Sequence, residues 1–183
     1  RQAVQHDTGP LLLLAGAGSG KTRALTHRIA WLIQKYKVDP WQILAVTFTN
    51  KAAGEMRERL DELLGGNQGL WVSTFHSMCV RILRQEITAL GFGRNFSIYD
   101  DQDQERLLKT ILQELGVDDK TLKPRTVAIA IDRAKNRGLW PEDLDDGDSQ
   151  TEQITRIYAL YQERLQQANA LDFGDLMMFA VKL

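Results

Sequence analysis

The feature that most constrains the fold is a short apolar run that leads directly into a glycine-rich loop. The run covers residues 10–15 and includes four consecutive leucines, and the sequence that follows is rich in glycine up to Lys21 and Thr22. Apolar residues at a spacing near 3.6 then indicate a helix. A continuously apolar strand is typical of a parallel sheet covered on both faces. We therefore predict a buried strand, a tight loop and a helix, in that order.

The rest of the first half repeats this alternation of strand and helix. Residues 43–48 and 70–74 are predicted to form the second and third strands, and a helical pattern follows each of them. Asn50 is the expected cap of the first of these helices, and Gly65-Gly66 is its expected end. Such alternation implies an α/β fold built on a parallel sheet.

The second half is predominantly helical. Residues 96–99 are a candidate short strand, and three amphipathic helical patterns follow. The last segment, 171–183, is strongly apolar, and Asp172 near its start is the expected cap of a final helix. We predict an α/β domain at 1–95, an inserted helical subdomain at 96–169 and a return to the α/β domain at 170–183. No helix-stop signal precedes Leu183, so we expect the chain to continue beyond it.

The loop carries the chemistry of a triphosphate site. It matches the pattern G-x-x-x-x-G-K-[ST], with Ala15 at the first position. Glycines allow successive N–H groups to face phosphate oxygens, and the following helix adds its positive end. Lys21 would contact the β- and γ-phosphates, and the hydroxyl of Thr22 would bind Mg²⁺. The alternative is a glycine-rich helix entry with a surface lysine. The candidate nucleotide-binding residues are Ala15, Gly16, Ala17, Gly18, Ser19, Gly20, Lys21 and Thr22.

Hydroxyl, amide, imidazole and aromatic groups follow the second and third predicted strands, in residues 47–53 and 73–77. Ligands of open α/β sheets bind at the carboxyl ends of the strands. This mixture suits single-stranded nucleic acid, because small donors bind phosphates while an aromatic face stacks on a base. The residues alone leave the alternative open that Phe48 and Phe75 are core residues and that the hydroxyl groups cap helices.

Charge and composition narrow the class of protein. Residues 1–95 contain 12 Lys or Arg and 7 Asp or Glu, a net charge of +5, whereas residues 96–183 contain 11 and 17, a net charge of −6. The first half is therefore the expected location of a polyanion site. The single cysteine, Cys79, allows no intrachain disulfide and fits a reducing compartment. We see no signal peptide and no membrane-spanning run, and we expect a cytoplasmic protein.

Four segments together resemble the amino-terminal part of the UvrD/PcrA/Rep group of superfamily 1 DNA helicases. They read AGAGSGKTR, TFTNKAAGEMRER, STFHSMCVRILR and LDFGDL, in that order. The resemblance implies a RecA-like P-loop NTPase sheet with an inserted all-helical subdomain. It also implies an ATP-driven motor that moves 3′ to 5′ on single-stranded DNA, with ATP bound between two RecA-like domains.

The resemblance also implies roles for individual residues. ATP and Mg²⁺ would bind at 15–22, with Arg23 beside the nucleotide. Gly174 stands where many relatives carry an acidic residue, so no catalytic role is carried over to Asp172 or Asp175. The expected partners are single-stranded DNA, junctions of single- and double-stranded DNA, and repair or replication proteins in the nucleoid. The residues expected to contact DNA are Thr47, Phe48, Thr49, Asn50, Lys51, Thr74, Phe75 and His76.

Several parts that the family uses fall outside this sequence. The adenine-reading glutamine would precede Arg1, so Gln2 and Gln5 are not assigned that role, and the Asp-Glu pair that binds Mg²⁺ would follow Leu183. We therefore expect residues 1–183 alone to bind nucleotide weakly and not to unwind DNA. The alternatives are a phosphate-loop kinase or other small-substrate NTPase, a binding module with a vestigial loop, and a helicase fused to a nuclease.

Overall fold

The computed structural model describes residues 2–6, 8–16, 18–66, 69–117, 122–144, 147 and 149–183. The chain divides into two compact units, residues 1–78 and 79–183. None of the described helices combines the length and the apolar character that crossing a membrane requires.

The first unit alternates helices with two short strands. A 3₁₀ turn at Pro40–Gln42 precedes the first strand, and the last helix continues into the second unit. The elements are α1 (Gln2–Gln5), α2 (Lys21–Tyr36), β1 (Leu44–Thr47), α3 (Asn50–Leu64), β2 (Trp71–Thr74) and α4 (Phe75–Glu86).

Strands β1 and β2 pair in parallel, which agrees with the predicted α/β fold. The register sets Leu44 opposite Trp71 and Thr47 opposite Thr74, so both strands end at the same level. The core of this unit joins one face of α2 and α3 to the sheet. Its buried residues are Ile29, Ala45, Ala53, Met56, Leu60, Leu70 and Val72.

The boundaries of α3 follow from its caps. Thr49 is the N-cap, because its side-chain oxygen accepts a hydrogen bond from the N–H of Ala52, and Asn50 is the first helical residue. The predicted cap at Asn50 was therefore wrong by one residue. Gly65 ends the helix in the left-handed region at φ 73°, as predicted, since glycine adopts this conformation without steric strain.

The predicted first strand differs from the structure. Residues 11–14 belong to no strand, and their exposed fractions alternate between about two-fifths for Leu11 and Leu13 and 79% and 88% for Leu12 and Leu14. The prediction of a buried strand was therefore wrong for the described chain. An apolar run becomes a strand only when a neighbouring strand satisfies its N–H and C=O groups, and no described strand pairs with residues 11–14.

The second unit is a bundle of helices with one small sheet. Strands β3 (Ser97–Tyr99) and β4 (Ala170–Asp172) pair in parallel, which agrees with the short strand predicted at 96–99. The helices are the end of α4, α5 (Asp101–Glu114), α6 (Pro124–Asn136), α7 (Ser149–Gln167) and α8 (Phe173–Lys182), with 3₁₀ turns at Ile87–Leu90 and Pro141–Asp143.

Most of the core of this unit comes from α5, α6 and α7. Tyr158 and Tyr161 are its largest fully buried side chains, and Ala170 brings β4 into the same core. Asp172 caps α8 as predicted, because its carboxylate accepts a hydrogen bond from the N–H of Asp175. The predicted domain boundaries at 95 and 169 stay predictions.

A buried lysine in this unit forms ion pairs with two buried carboxylates. The Nζ of Lys135 on α6 lies 2.6 Å from Asp172 Oδ2 and 2.7 Å from Asp175 Oδ1, and all three side chains are at least 96% buried. The hydroxyl of Tyr161 donates to Asp172 at 3.0 Å, and the amide of Gln162 donates to Asp175 at 3.0 Å. Three helices and β4 therefore meet at one buried charge network.

The network perturbs the groups within it. Burial raises the pKa of Asp175, and the ammonium of Lys135 opposes that rise. Burial, together with the neighbouring carboxylates, also raises the pKa values of Tyr158 and Tyr161 well above the usual tyrosine range. Both tyrosines therefore stay protonated, and Tyr161 acts as a hydrogen-bond donor.

Gly174 leaves no room for a side chain beside this network. A Cβ at this position would lie 2.8 Å from Cδ and 3.1 Å from Cβ of Lys135, whose ammonium is fixed by the two carboxylates. We expect Gly174→Ala to destabilise the 183-residue chain by about 1–3 kcal/mol through overpacking, as measured by chemical denaturation.

Gly54 provides the matched control, because a Cβ on this α3 residue would meet nothing within 4 Å. Gly54→Ala should stabilise the chain by about 0.5–1 kcal/mol, since alanine favours the helix interior. Equal stability of the Gly174→Ala protein and the wild type would contradict the close contact with Lys135.

Candidate functional site

The glycine-rich loop leads into α2 through two glycines in the left-handed region. Gly18 has φ 73° and Gly20 has φ 86°. The side chain and the N–H of Ser19 both donate to the carbonyl of Gly16, which closes the turn. The predicted site residue Ala17 lies outside the described residues.

The N-terminus of α2 has no side-chain cap. Gly20 occupies the N-cap position without a side-chain hydrogen bond, and the first turn contains no acidic residue. By contrast, α3, α5 and α8 are each capped by a Thr or Asp side chain. The first N–H groups of a 16-residue helix thus face the loop without a side-chain acceptor, which is the arrangement that binds anions.

Lys21 lies across the loop. Its Nζ donates to the carbonyl oxygens of Ala15 at 2.8 Å and Gly16 at 2.7 Å, and the side chain is exposed. These acceptors are neutral, whereas a phosphate oxygen would add the attraction between opposite charges to the hydrogen bond. The ammonium is therefore already placed over the loop, with acceptors that an anionic ligand can replace.

Thr22 is half-buried in the first turn of α2, directly after Lys21. Its hydroxyl fits one position of a Mg²⁺ ion, which usually binds one or two protein groups together with substrate phosphates and water. The described residues contain no group of three or more His, Cys, Asp or Glu side chains that could bind a metal by themselves. A metal at this position would therefore need the phosphates of a ligand.

A cavity of about 600 Å³ lies beside the loop. This volume is in the usual range for small-molecule sites. The predicted residue Arg23 lines it, and so do α1 and α2 residues for which the sequence predicted no role. Its lining residues are Val4, Gln5, Gly18, Ser19, Gly20, Arg23, Ala24 and His27.

The two aromatic residues predicted to contact DNA lie side by side. Because β1 and β2 end at the same level, Phe48 and Phe75 follow neighbouring strand ends, and their ring centroids are 5.4 Å apart. Phe48 is 88% exposed and Phe75 is half-buried. Phe48 is therefore not a core residue, and its ring is available for stacking.

The polar groups around this pair divide into two kinds. The Thr49 oxygen caps α3, and the Thr74 hydroxyl accepts from the N–H of Ser77 and donates to its hydroxyl at 2.9 Å. Both threonines therefore serve as helix caps. The O–H of Thr49 can still donate a hydrogen bond, because only its oxygen is used in the cap. Thr47 is half-buried, and the other predicted DNA contacts, Asn50, Lys51 and His76, are exposed.

Some residues of the site were missed by sequence reasoning. Val4, Gln5 and His27 line the cavity, but the first two precede the loop by at least ten residues and carry no motif. Ser77 lies within the segment 73–77 named above, and its exposed hydroxyl oxygen accepts a hydrogen bond from Thr74, so its own O–H can still donate. Only the fold brings these side chains to the site.

Comparison with known proteins places this sequence in a family. ATP-dependent DNA helicase PcrA of Bacillus subtilis (strain 168) is 50% identical over 186 residues, which cover 100% of this chain and 25% of the relative. Proteins of the same name from Staphylococcus epidermidis (strain ATCC 12228 / FDA PCI 1200) and Staphylococcus aureus (strain COL) are 47% and 46% identical over 185 residues, with the same coverage. The chain spans about a quarter of the length of these relatives.

The UvrD/REP helicase N-terminal domain family matches residues 1–183. The match thus includes the loop, both aromatic strand ends and the helices of the second unit. Because it runs through the whole chain, the chain belongs to the UvrD/REP helicase N-terminal domain family.

Proposed function

We propose that this chain is the amino-terminal, ATP-binding part of an ATP-dependent DNA helicase that moves 3′ to 5′ along single-stranded DNA. The observation that carries the proposal is the uncapped N-terminus of α2 with Lys21 over the loop. The relatives' names support ATP and DNA as the two ligands.

The triphosphate would lie in the loop, with its terminal phosphates against the N–H groups of α2. Lys21 would exchange the carbonyls of Ala15 and Gly16 for β- and γ-phosphate oxygens and would offset the charge that develops as the terminal phosphate leaves. Thr22 would provide one oxygen to Mg²⁺, which neutralises phosphate charge when bound. Arg23 would lie at the wall of the cavity, beside the nucleotide.

The DNA strand would cross the carboxyl ends of β1 and β2. Phe48 would stack on a base, with Phe75 supporting its ring, while Thr47, Asn50, Lys51 and His76 would contact the backbone. These contacts are independent of base identity, as a motor that passes every sequence requires. ATP binding and release would open and close the cleft with a second RecA-like domain and so move the strand.

Strand displacement by the full-length protein tests this proposal. We expect ATP-dependent separation of a duplex with a 3′ single-stranded tail and little separation of one with a 5′ tail. The chain of 183 residues should separate neither. Displacement of both duplexes without ATP, or of neither by the full-length protein, would refute the helicase assignment.

Phe48→Ala is expected to weaken binding of the full-length protein to single-stranded DNA. Loss of one stacked base corresponds to about 1–3 kcal/mol, or roughly 5- to 150-fold in Kd, as measured by fluorescence anisotropy with a labelled oligonucleotide. The effect should be similar for different base sequences, because every base has a face that can stack.

Trp41→Ala is the matched control. Trp41 is an aromatic residue with 69% exposure, but it lies in the 3₁₀ turn before β1, at the opposite end of the strand from Phe48. Its removal should leave DNA affinity unchanged. Equal losses for the two variants would show that the strand ends do not form the binding surface.

A further inference from the structure

A further cation of α2, Arg28, binds the backbone of the α1 segment. Its Nη1 donates to the carbonyl oxygen of Ala3 at 3.4 Å and to that of His6. Arg28 lies two helical turns after Lys21 and is half-buried. The end of a helix leaves carbonyl groups without partners within that helix, so a guanidinium is a suitable partner for them.

The segment that Arg28 binds cannot keep its position alone. Helix α1 has four residues, far fewer than the roughly 12–15 that an isolated helix needs for marginal stability in water. None of its described side chains is buried. The hydrogen bonds from Arg28 therefore add to the contacts of the half-buried Ala3 and Val4 in fixing α1 against α2.

Helix α1 forms one wall of the cavity beside the loop. Val4 and Gln5 line it on one side, and Gly18, Ser19 and Gly20 line it on the other. The loop side offers N–H groups, which suit phosphates, whereas the α1 side offers an apolar side chain and an amide. A base and sugar are the parts of a nucleotide that match such a wall.

We propose that Arg28 is a positioning residue for the nucleoside part of the nucleotide, because it fixes the α1 wall through the carbonyls of Ala3 and His6. The proposal rests on the proposed function only in that the cavity binds ATP. Arg28 acts through α1 and leaves the phosphates to the loop. It therefore determines how far the site favours ATP over a bare triphosphate.

The test compares ATP with inorganic tripolyphosphate in the full-length protein. Arg28→Met should raise the Kd for ATP about tenfold. Inhibition by tripolyphosphate and kcat at saturating ATP should stay within about twofold, because the loop and the reacting groups are intact. Arg28→Lys should recover part of the ATP affinity. Lys35→Met, which removes an exposed cation from the last turn of the same helix, should behave as the wild type.

Equal weakening of ATP and tripolyphosphate by a folded Arg28→Met protein would overturn the proposal, and so would unchanged ATP affinity. If that variant does not fold, the double variant Val4→Ala, Gln5→Ala alters the α1 wall and leaves the sequence of α2 unchanged. A selective loss of ATP affinity then supports the proposal, and unchanged ATP affinity overturns it. A wild-type protein that binds neither compound would refute the proposed function as well, so the two failures are distinguishable.

Discussion

Lys21→Ala in the full-length protein is expected to reduce ATP turnover to the background of the assay. The ammonium over the loop has neutral carbonyl acceptors, and it would exchange them for phosphate oxygens whose charge grows in the transition state. Loss of a charge-assisted contact weakens ground-state binding by about 1.5–3 kcal/mol. Loss of one preorganised transition-state donor lowers kcat by roughly 10²–10³-fold. Together these effects leave no useful activity at ordinary ATP concentrations.

Steady-state release of phosphate measures this effect, with DNA at saturation. Lys35→Ala is the control, because Lys35 is an exposed cation at the other end of the same helix. Its turnover should equal that of the wild type. Near-normal turnover by the Lys21→Ala protein would show that hydrolysis does not occur at this loop.

The second large effect concerns stability. Lys135→Met should destabilise the 183-residue chain by about 3–5 kcal/mol, because it removes the only cation seen within 3 Å of two buried carboxylates among the described residues. Methionine has a similar length, so packing changes little and the loss reflects the uncompensated charge. Chemical denaturation at pH 7 measures it, and Lys109→Met, at an exposed position of α5, should change stability by less than about 0.5 kcal/mol.

The loss in the Lys135→Met protein should depend on pH. Burial raises the pKa of Asp175, and without Lys135 nothing comparable opposes that rise. A carboxyl with a raised folded-state pKa contributes stability that is present at low pH and lost as the pH increases through that pKa. The deficit relative to the wild type should therefore shrink as the pH falls from 8 towards 5. A deficit that is independent of pH would show that lost packing, and not charge, causes the destabilisation.

The sequence was informative where local chemistry decides the structure. The loop, the strands β1 and β2, the glycine that ends α3 and the aspartate that caps α8 all depend on residue types at fixed spacing. The parallel arrangement followed from the alternation of elements, and it places Phe48 beside Phe75. These features needed no knowledge of distant contacts.

Other features depend on contacts between segments far apart in the chain. The Lys135 network joins α6 to residues 37 and 40 positions later, and α1 reaches the cavity through Arg28. Neither arrangement has a spacing signature. The error at residues 11–14 has the same origin. An apolar run favours burial, but it forms a strand only if a neighbouring strand is there to pair with it.

The rate of ATP hydrolysis by the full-length protein as a function of single-stranded DNA concentration tests the central claim most directly. If the loop binds ATP and the ends of β1 and β2 bind DNA, added oligonucleotide should raise the rate until it reaches saturation, and Phe48→Ala should shift the saturation point to higher concentrations. A substantial rate of ATP hydrolysis that does not change with DNA concentration would contradict the account and favour an NTPase that acts on a small substrate.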